Sequence, residues 1–193
     1  MNKIDILIVG VGGQGVILAS EILSDVGLKA GYDVKKSEIH GMSQRGGSVS
    51  SDIRFNKNKV FSPIIPAATA DFILGFEKLE TFRALPSINE KGIIISSDFR
   101  LDPMTVSTGA AQYPAAIEET IKKTHGKTYF FNEEGIVKKI GNPKAINIYI
   151  LGALASFLEI EKDLWTDVIK SRVPPATVAL NIAAFNEGMD IAR

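Results

Sequence analysis

The chain has 193 residues, enough for one domain with a substantial core, and its 45% hydrophobic and 23% charged content is ordinary for a globular protein. Twenty-two Lys and Arg balance 22 Asp and Glu, which leaves no excess positive field for binding a nucleic-acid backbone. Cysteine is absent, so this chain offers no disulfide, no iron–sulfur ligand and no thiolate nucleophile.

The opening "MNKIDILIVG" lacks a small-residue cleavage site, and glycines interrupt its apolar run. It therefore reads as a buried first strand rather than a signal peptide. No apolar run reaches the ~18 residues of a membrane span, and the cytoplasm is the default location. Ile4 to Val9 is a β-branched apolar run, as in a central parallel strand covered on both faces. After a glycine cluster, Val16, Ile17, Ala19, Ile22, Leu23 and Val26 mark the apolar stripe of a helix. "YDVKKSEI" reads as a second strand, and the alternation of "SVSSDIRF" predicts a strand with one wet face. Pro63 and Pro66 punctuate a loop, followed by a buried strand "DFILGF", a helix "EKLETFRAL" and a strand "GIIISS". "PAAIEETIKKTHG" predicts a surface helix entered through Pro114 and stopped at Gly126, and "KTYFFN" a further strand. From Pro143 onward three helical patterns succeed one another with no strand between them. The expected fold is α/β, a three-layer α/β/α sandwich with a Rossmann-like start and a C-terminal helical cap, forming a single domain over 1–193.

Two loops carry the chemistry. In the first, Gly10 is expected to permit a tight turn, Gly12 to allow close backbone approach to a ligand, and Gly15 to let helix and strand pack. The helix after this loop offers unpaired N–H groups and a partial positive charge to an anion. Glu38 stands where a ribose-binding acid would sit. This pattern fits a dinucleotide, or glycines that serve packing alone. Beyond Glu38 the chain departs from the usual crossover helix: "IHGMSQRGGSVSSDIRF" is a polar glycine-rich loop feeding a strand. There Arg45 can grip a phosphate or carboxylate, Gly46 and Gly47 can bring backbone amides to the same anion, and His40 can exchange a proton near neutral pH. Arg45 bracing Glu38, and His40 as a structural residue, remain open. His125 ends a surface helix, where the dipole alone accounts for it. With two distant histidines no metal site is expected. Glu77, Glu80 and Arg83 are expected to share one helix face, as solvated ion pairs or as an edge meeting a partner. Asn147 and Asn181, each in an apolar helix, need partners for their amides if buried.

In order along the chain, "GVGGQGV", "SEIHGMSQRGGSV", "SPIIP", "ADFILGFEKLETFRAL", "GNPKAINIYILGAL" and "NIAAFNEG" form a recognisable series. Together they resemble the smaller (beta) subunit of indolepyruvate:ferredoxin oxidoreductase and the gamma subunit or domain of the wider 2-oxoacid:ferredoxin oxidoreductase family, from Ile6 to Gly188. One departure is Ala68, near which that pattern leads us to expect a glycine. The resemblance implies an enzyme that decarboxylates an aryl-2-oxoacid on thiamine diphosphate, passes electrons through iron–sulfur clusters to ferredoxin, and releases an acyl-coenzyme A. This chain has neither cluster cysteines nor a Gly-Asp-Gly segment followed by asparagines for a diphosphate–magnesium site. Thiamine diphosphate, magnesium and clusters are then expected in a larger catalytic partner of a hetero-oligomer, with ferredoxin met only indirectly. No catalytic residue and no metal ligand is assigned here. The resemblance places the chain beside the partner's active site, with coenzyme A held at the interface by Gly10, Gly12, Gly13, Gln14, Gly15, His40, Ser43, Gln44, Arg45, Gly46 and Gly47. A stand-alone dinucleotide-binding oxidoreductase and a pure assembly module are the alternatives.

Overall fold

The computed structural model describes residues 2–41 and 46–191. Six strands are ordered β2-β3-β1-β4-β5-β6 across one mixed sheet: β1 Lys3–Val11, β2 Asp33–His40, β3 Ser48–Asn56, β4 Ala70–Gly75, β5 Ile88–Ser97 and β6 Thr128–Phe131. β1, β4, β5 and β6 run parallel, while β3 is antiparallel to both β1 and β2. The first strand is thus parallel to only one of its two neighbours. A hairpin inserts β3 between β1 and β2 and pushes β2 to the sheet edge. The helices between strands are α1 Val16–Lys29, α2 Lys78–Ala84, α3 Met104–Ser107 and α4 Ile117–Thr124. Four more come after the last strand: α5 Glu133–Ile140, α6 Ile146–Ala155, α7 Lys162–Arg172 and α8 Val178–Gly188.

The period of two along β1 divides its side chains between two cores. Ile4, Ile6 and Ile8 join α1, α6, α7 and α8, with Leu23, Leu151, Trp165 and Phe185 among their neighbours. Leu7 and Val9 face the other way, toward Leu79 of α2 and Ile117 and Ile121 of α4. Each such fully buried aliphatic side chain stabilises by about 1.5–3 kcal/mol over leaving it in water. The three layers are those expected, and the C-terminal helices form one of them together with α1.

α6 is buried along its whole length, and it reaches that depth through a close crossing with α8. A Cβ on Gly152 would lie 2.0 Å from the Phe185 carbonyl oxygen, and one on Gly188 equally close to that of Tyr149. The two helices therefore touch backbone to backbone.

Several local expectations change. The helix predicted from Pro114 starts later, at Ile117, after Ala116 in a left-handed conformation (φ 52°). α5 was not anticipated; Asn132 caps it by accepting from the Gly135 N–H, and Gly141 ends it at φ 88°. Ala68 has φ 58°, so the family-pattern departure falls on a turn that glycine would adopt with less strain. The face of β3 expected to be wet is partly roofed by the segment after it, because Asp52 and Arg54 on that face bind the segment's backbone.

Candidate functional site

The sheet order brings the two glycine-rich loops to one place. β1 and β2 are parallel across β3, so the loop after β1 and the β2–β3 hairpin loop leave the same end of the sheet. They are joined there: the Gly12 N–H donates to the Gly47 carbonyl at 2.9 Å. Gly41 closes the hairpin by donating to the Ser48 carbonyl at 2.8 Å.

Gly10 makes no turn. It remains in the strand opposite Val49, and a Cβ there would come within 2.9 Å of the Phe76 Cβ, so its contribution is room. The chain turns at Gly13 and Gly15, at φ 101° and 79°. Gly15 is the N-cap of α1 and has no side chain to cap it, which leaves the first-turn amides of Val16, Ile17 and Leu18 without a capping side chain. They border a cleft of about 750 Å³ walled by Val11, Val16, Ile17 and Val49, with Glu21 and His40 as its ionisable members. His40 is exposed at the end of β2. Gly46 has φ 74°, and a Cβ there would lie 3.8 Å from Leu101 Cδ2. Ser43, Gln44 and Arg45 lie outside the described residues. On the other flank of the loop a second cleft, about 430 Å³, is lined by Gln14, Phe76, Phe99, Glu133 and Lys144 among others. Burial is the larger influence on the Glu133 carboxyl and pushes it above its ordinary value, despite the bond from Ser97.

Gln14 bridges β1 and β4. Its Oε1 accepts from the Val11 N–H at 2.9 Å, and its Nε2 donates to the Phe76 carbonyl at 2.7 Å. The amide thus spans the crevice between the carboxyl ends of two parallel strands, where doubly wound sheets commonly admit a ligand. Glu38 is engaged as well: its carboxylate accepts from Ser20 and from Lys36, each at 2.9 Å. Burial raises that carboxyl, but these two bonds and the Lys36 charge outweigh it and leave it below the ordinary value. Because β3 intervenes, Glu38 stands one strand farther from β1 than the ribose-acid expectation requires.

The acidic pair after β4 differs most from expectation. Glu77 and Glu80 are buried rather than solvated. Glu77 is the N-cap of α2, not a member of its face; it accepts from the Glu80 N–H, the Leu101 N–H and the Tyr113 hydroxyl. Burial and the Glu77 carboxylate both push the Tyr113 phenol up. Glu80 takes the Ser48 hydroxyl at 2.6 Å and pairs with Arg83. These carboxylates tie the 99–113 segment and the start of β3 to α2. The Glu-x-x-Glu spacing, a variant of the capping box, was the readable signal.

His125 is buried, with Nε2 2.6 Å from the Gly92 carbonyl, so its role is a core hydrogen bond rather than a dipole contact. Asn181 satisfies its amide within α8, donating to the Thr177 carbonyl. Asn147 reaches from α6 to the glycine loop: a Cβ on Gly15 would lie 2.6 Å from Asn147 Nδ2. Sequence reading did not foresee this contact. Among the described residues no group of three or more metal-ligating side chains gathers.

A family model described as pyruvate ferredoxin/flavodoxin oxidoreductase matches residues 5–191. The chain is 35% identical to the indolepyruvate oxidoreductase subunit IorB of Thermococcus kodakarensis and 36% identical to that of Pyrococcus horikoshii; each comparison covers 100% of this chain and 98% of the relative. Among solved structures, the keto/oxoacid ferredoxin oxidoreductase gamma subunit from Geobacter sulfurreducens matches with a TM-score of 0.72 at 23% identity, over 98% of both chains. The 2-oxoglutarate:ferredoxin oxidoreductase from Magnetococcus marinus, with 2-oxoglutarate, coenzyme A and succinyl-CoA bound, matches with a TM-score of 0.75 at 17% identity, over 100% of this chain and 31% of that one. At these identities the solved structures speak for the fold.

Proposed function

The chain belongs to the pyruvate ferredoxin/flavodoxin oxidoreductase family, and on that premise we propose that it is an accessory subunit of an indolepyruvate-type (aryl-2-oxoacid):ferredoxin oxidoreductase. The observation that carries this reading is its full-length likeness to relatives named as subunits of indolepyruvate oxidoreductase. The absence of cysteine agrees with it, since cluster ligation has to come from another chain. Decarboxylation and electron transfer then belong to thiamine diphosphate, magnesium and iron–sulfur clusters of a larger partner, in a hetero-oligomer that we place in the cytoplasm.

This chain's own share is a surface for coenzyme A beside the partner's active site. The uncapped amides of Val16, Ile17 and Leu18 suit a pyrophosphate. The wall of Val11, Val16 and Val49 suits an apolar arm. Arg45 supplies a charge-assisted bond to a phosphate oxygen. Glu21 at the cleft margin opposes an anion, but Arg172 stands 3.5 Å from its carboxylate and offsets it.

Two features weigh against a stand-alone dinucleotide enzyme. Glu38 already serves Ser20 and Lys36, and Gln14 bridges the crevice between β1 and β4. The test is reconstitution with the larger subunit and assay of oxoacid-dependent ferredoxin reduction. The isolated chain should be inert and show no saturable NADH fluorescence change. In the assembled enzyme Arg45→Ala should raise the KM for coenzyme A about tenfold with kcat little changed. An unchanged KM would leave the assembly module as the better reading.

A further inference from the structure

The segment joining β3 to β4 exposes apolar side chains and is held with unusual firmness for a connection. Phe61 is 86% exposed and Ile64 49% exposed, with Pro66 also outward. Beneath them Arg54 makes a two-pronged ion pair with Asp5, whose side chain is fully buried, through Nε–Oδ1 at 2.9 Å and Nη2–Oδ2 at 3.2 Å. The remaining Nη1 donates to the carbonyls of Ser62 and Ile64, at 3.1 and 3.0 Å. Asp33 accepts from the Val60 N–H at 2.7 Å, and Asp52 from the Ile65 N–H at 3.1 Å. Thr69 and Ala68 secure the far end by donating to the carbonyls of Pro66 and Pro86.

A loop that only connects two strands gains nothing from a buried ion pair, because desolvating two charges consumes most of their attraction. Holding a large aromatic side chain in water in one fixed backbone conformation is the arrangement of an interface anchor, in which the ordering has been done before the partner arrives. The surroundings define that partner. A cleft of about 300 Å³ beside the Phe61 ring includes Lys3, Arg54 and Lys59 against one carboxylate, Asp5. Lys59 sits 5.5 Å from the Phe61 ring centroid and pairs with no carboxylate among the described residues. Lys3 and Arg54 share the Asp5 carboxylate, so the surface is an apolar knob with a net positive margin whose unpaired cation, among the described residues, is Lys59.

We propose that the 57–67 segment is a preformed docking knob, in which Phe61 and Ile64 enter an apolar socket with an acidic rim on the larger partner subunit. The proposal rests on the accessory-subunit reading and adds a contact surface distinct from the glycine-loop cleft. Arg54 pairs with Asp5, six positions before Val11 along β1, which is about 20 Å at the rise of a strand.

The experiment measures the affinity of the purified chain for its purified larger subunit by isothermal titration, for wild type, Phe61→Ser, Ile64→Ser and Lys59→Glu. Phe61→Ser should weaken binding at least tenfold while leaving the thermal midpoint of the free chain unchanged. Ile64→Ser should weaken it severalfold. Lys59→Glu should lower affinity most at low salt and lose its effect as salt rises. If wild type binds and all three variants bind equally well, the knob is wrong and the accessory-subunit reading survives. If wild type does not bind the larger subunit, both fall. If Phe61→Ser breaks a self-dimer seen by sedimentation while affinity for the larger subunit holds, the segment joins two copies of this chain, and the proposal is overturned in favour of that interface.

Discussion

The glycine loop after β1 and the 57–67 segment after β3 are both fixed in place, by opposite physical means. The first is held by backbone: φ values open to glycine, a Gly12–Gly47 bond, and one neutral amide, Gln14, stitching two strands. The second is held by charge: Arg54, paired with Asp5, donates to its carbonyls, and Asp33 and Asp52 accept from its amides. The manner of holding decides the surface each presents. A loop held by backbone leaves amides free for an anion, whereas one held from below by charged side chains can turn apolar groups outward.

The contrast can be broken from either side. Arg54→Met should do the most damage, destabilising the chain by about 3–5 kcal/mol in urea unfolding, because it takes the two-pronged partner from a buried Asp5 carboxylate and leaves it only Lys3 at the surface; a paired Asp5→Leu/Arg54→Met variant should recover much of that loss. Gly15→Ala comes next, at about 2–4 kcal/mol, from left-handed strain together with collision against Asn147. Gln14→Leu should cost about 1–3 kcal/mol by leaving the Val11 amide and Phe76 carbonyl unsatisfied. Glu133→Gln sharpens the second cleft's part in the comparison. A carboxyl whose folded pKa is raised weakens the fold when ionised, and that penalty is relieved as pH falls through the raised value. The variant should therefore melt slightly higher than wild type at pH 7, and the advantage should fade on acidification. Ala68→Gly is the smallest effect, a gain of up to about 1 kcal/mol, read as a small rise in melting temperature.

Sequence exposed the strands and the long helices well, because apolar runs such as Ile6–Val9 and the alternation from Ser48 to Phe55 obey local periodicity. Strand order was hidden. Alternation in β3 fits any neighbour, and only the tertiary fold inserts it between β1 and β2. α5 escaped because it is two turns long with a glycine inside. At the site, the bare helix N-terminus was legible from the glycines. The buried states of Glu77 and Glu80 and the Asp5–Arg54 pair were not, since ionisable residues default to solvent unless a distant partner covers them. Ser43, Gln44 and Arg45 were chosen on residue type and family resemblance, and they lie outside the described residues.

Asn147 stands against Gly15 across 132 positions of sequence, and its helix is seated by the α6–α8 crossing. On the ribosome, therefore, the glycine loop lacks its buttress until both helices of that crossing have been synthesised. A nascent chain should be unable to recruit a ligand there until that crossing has formed.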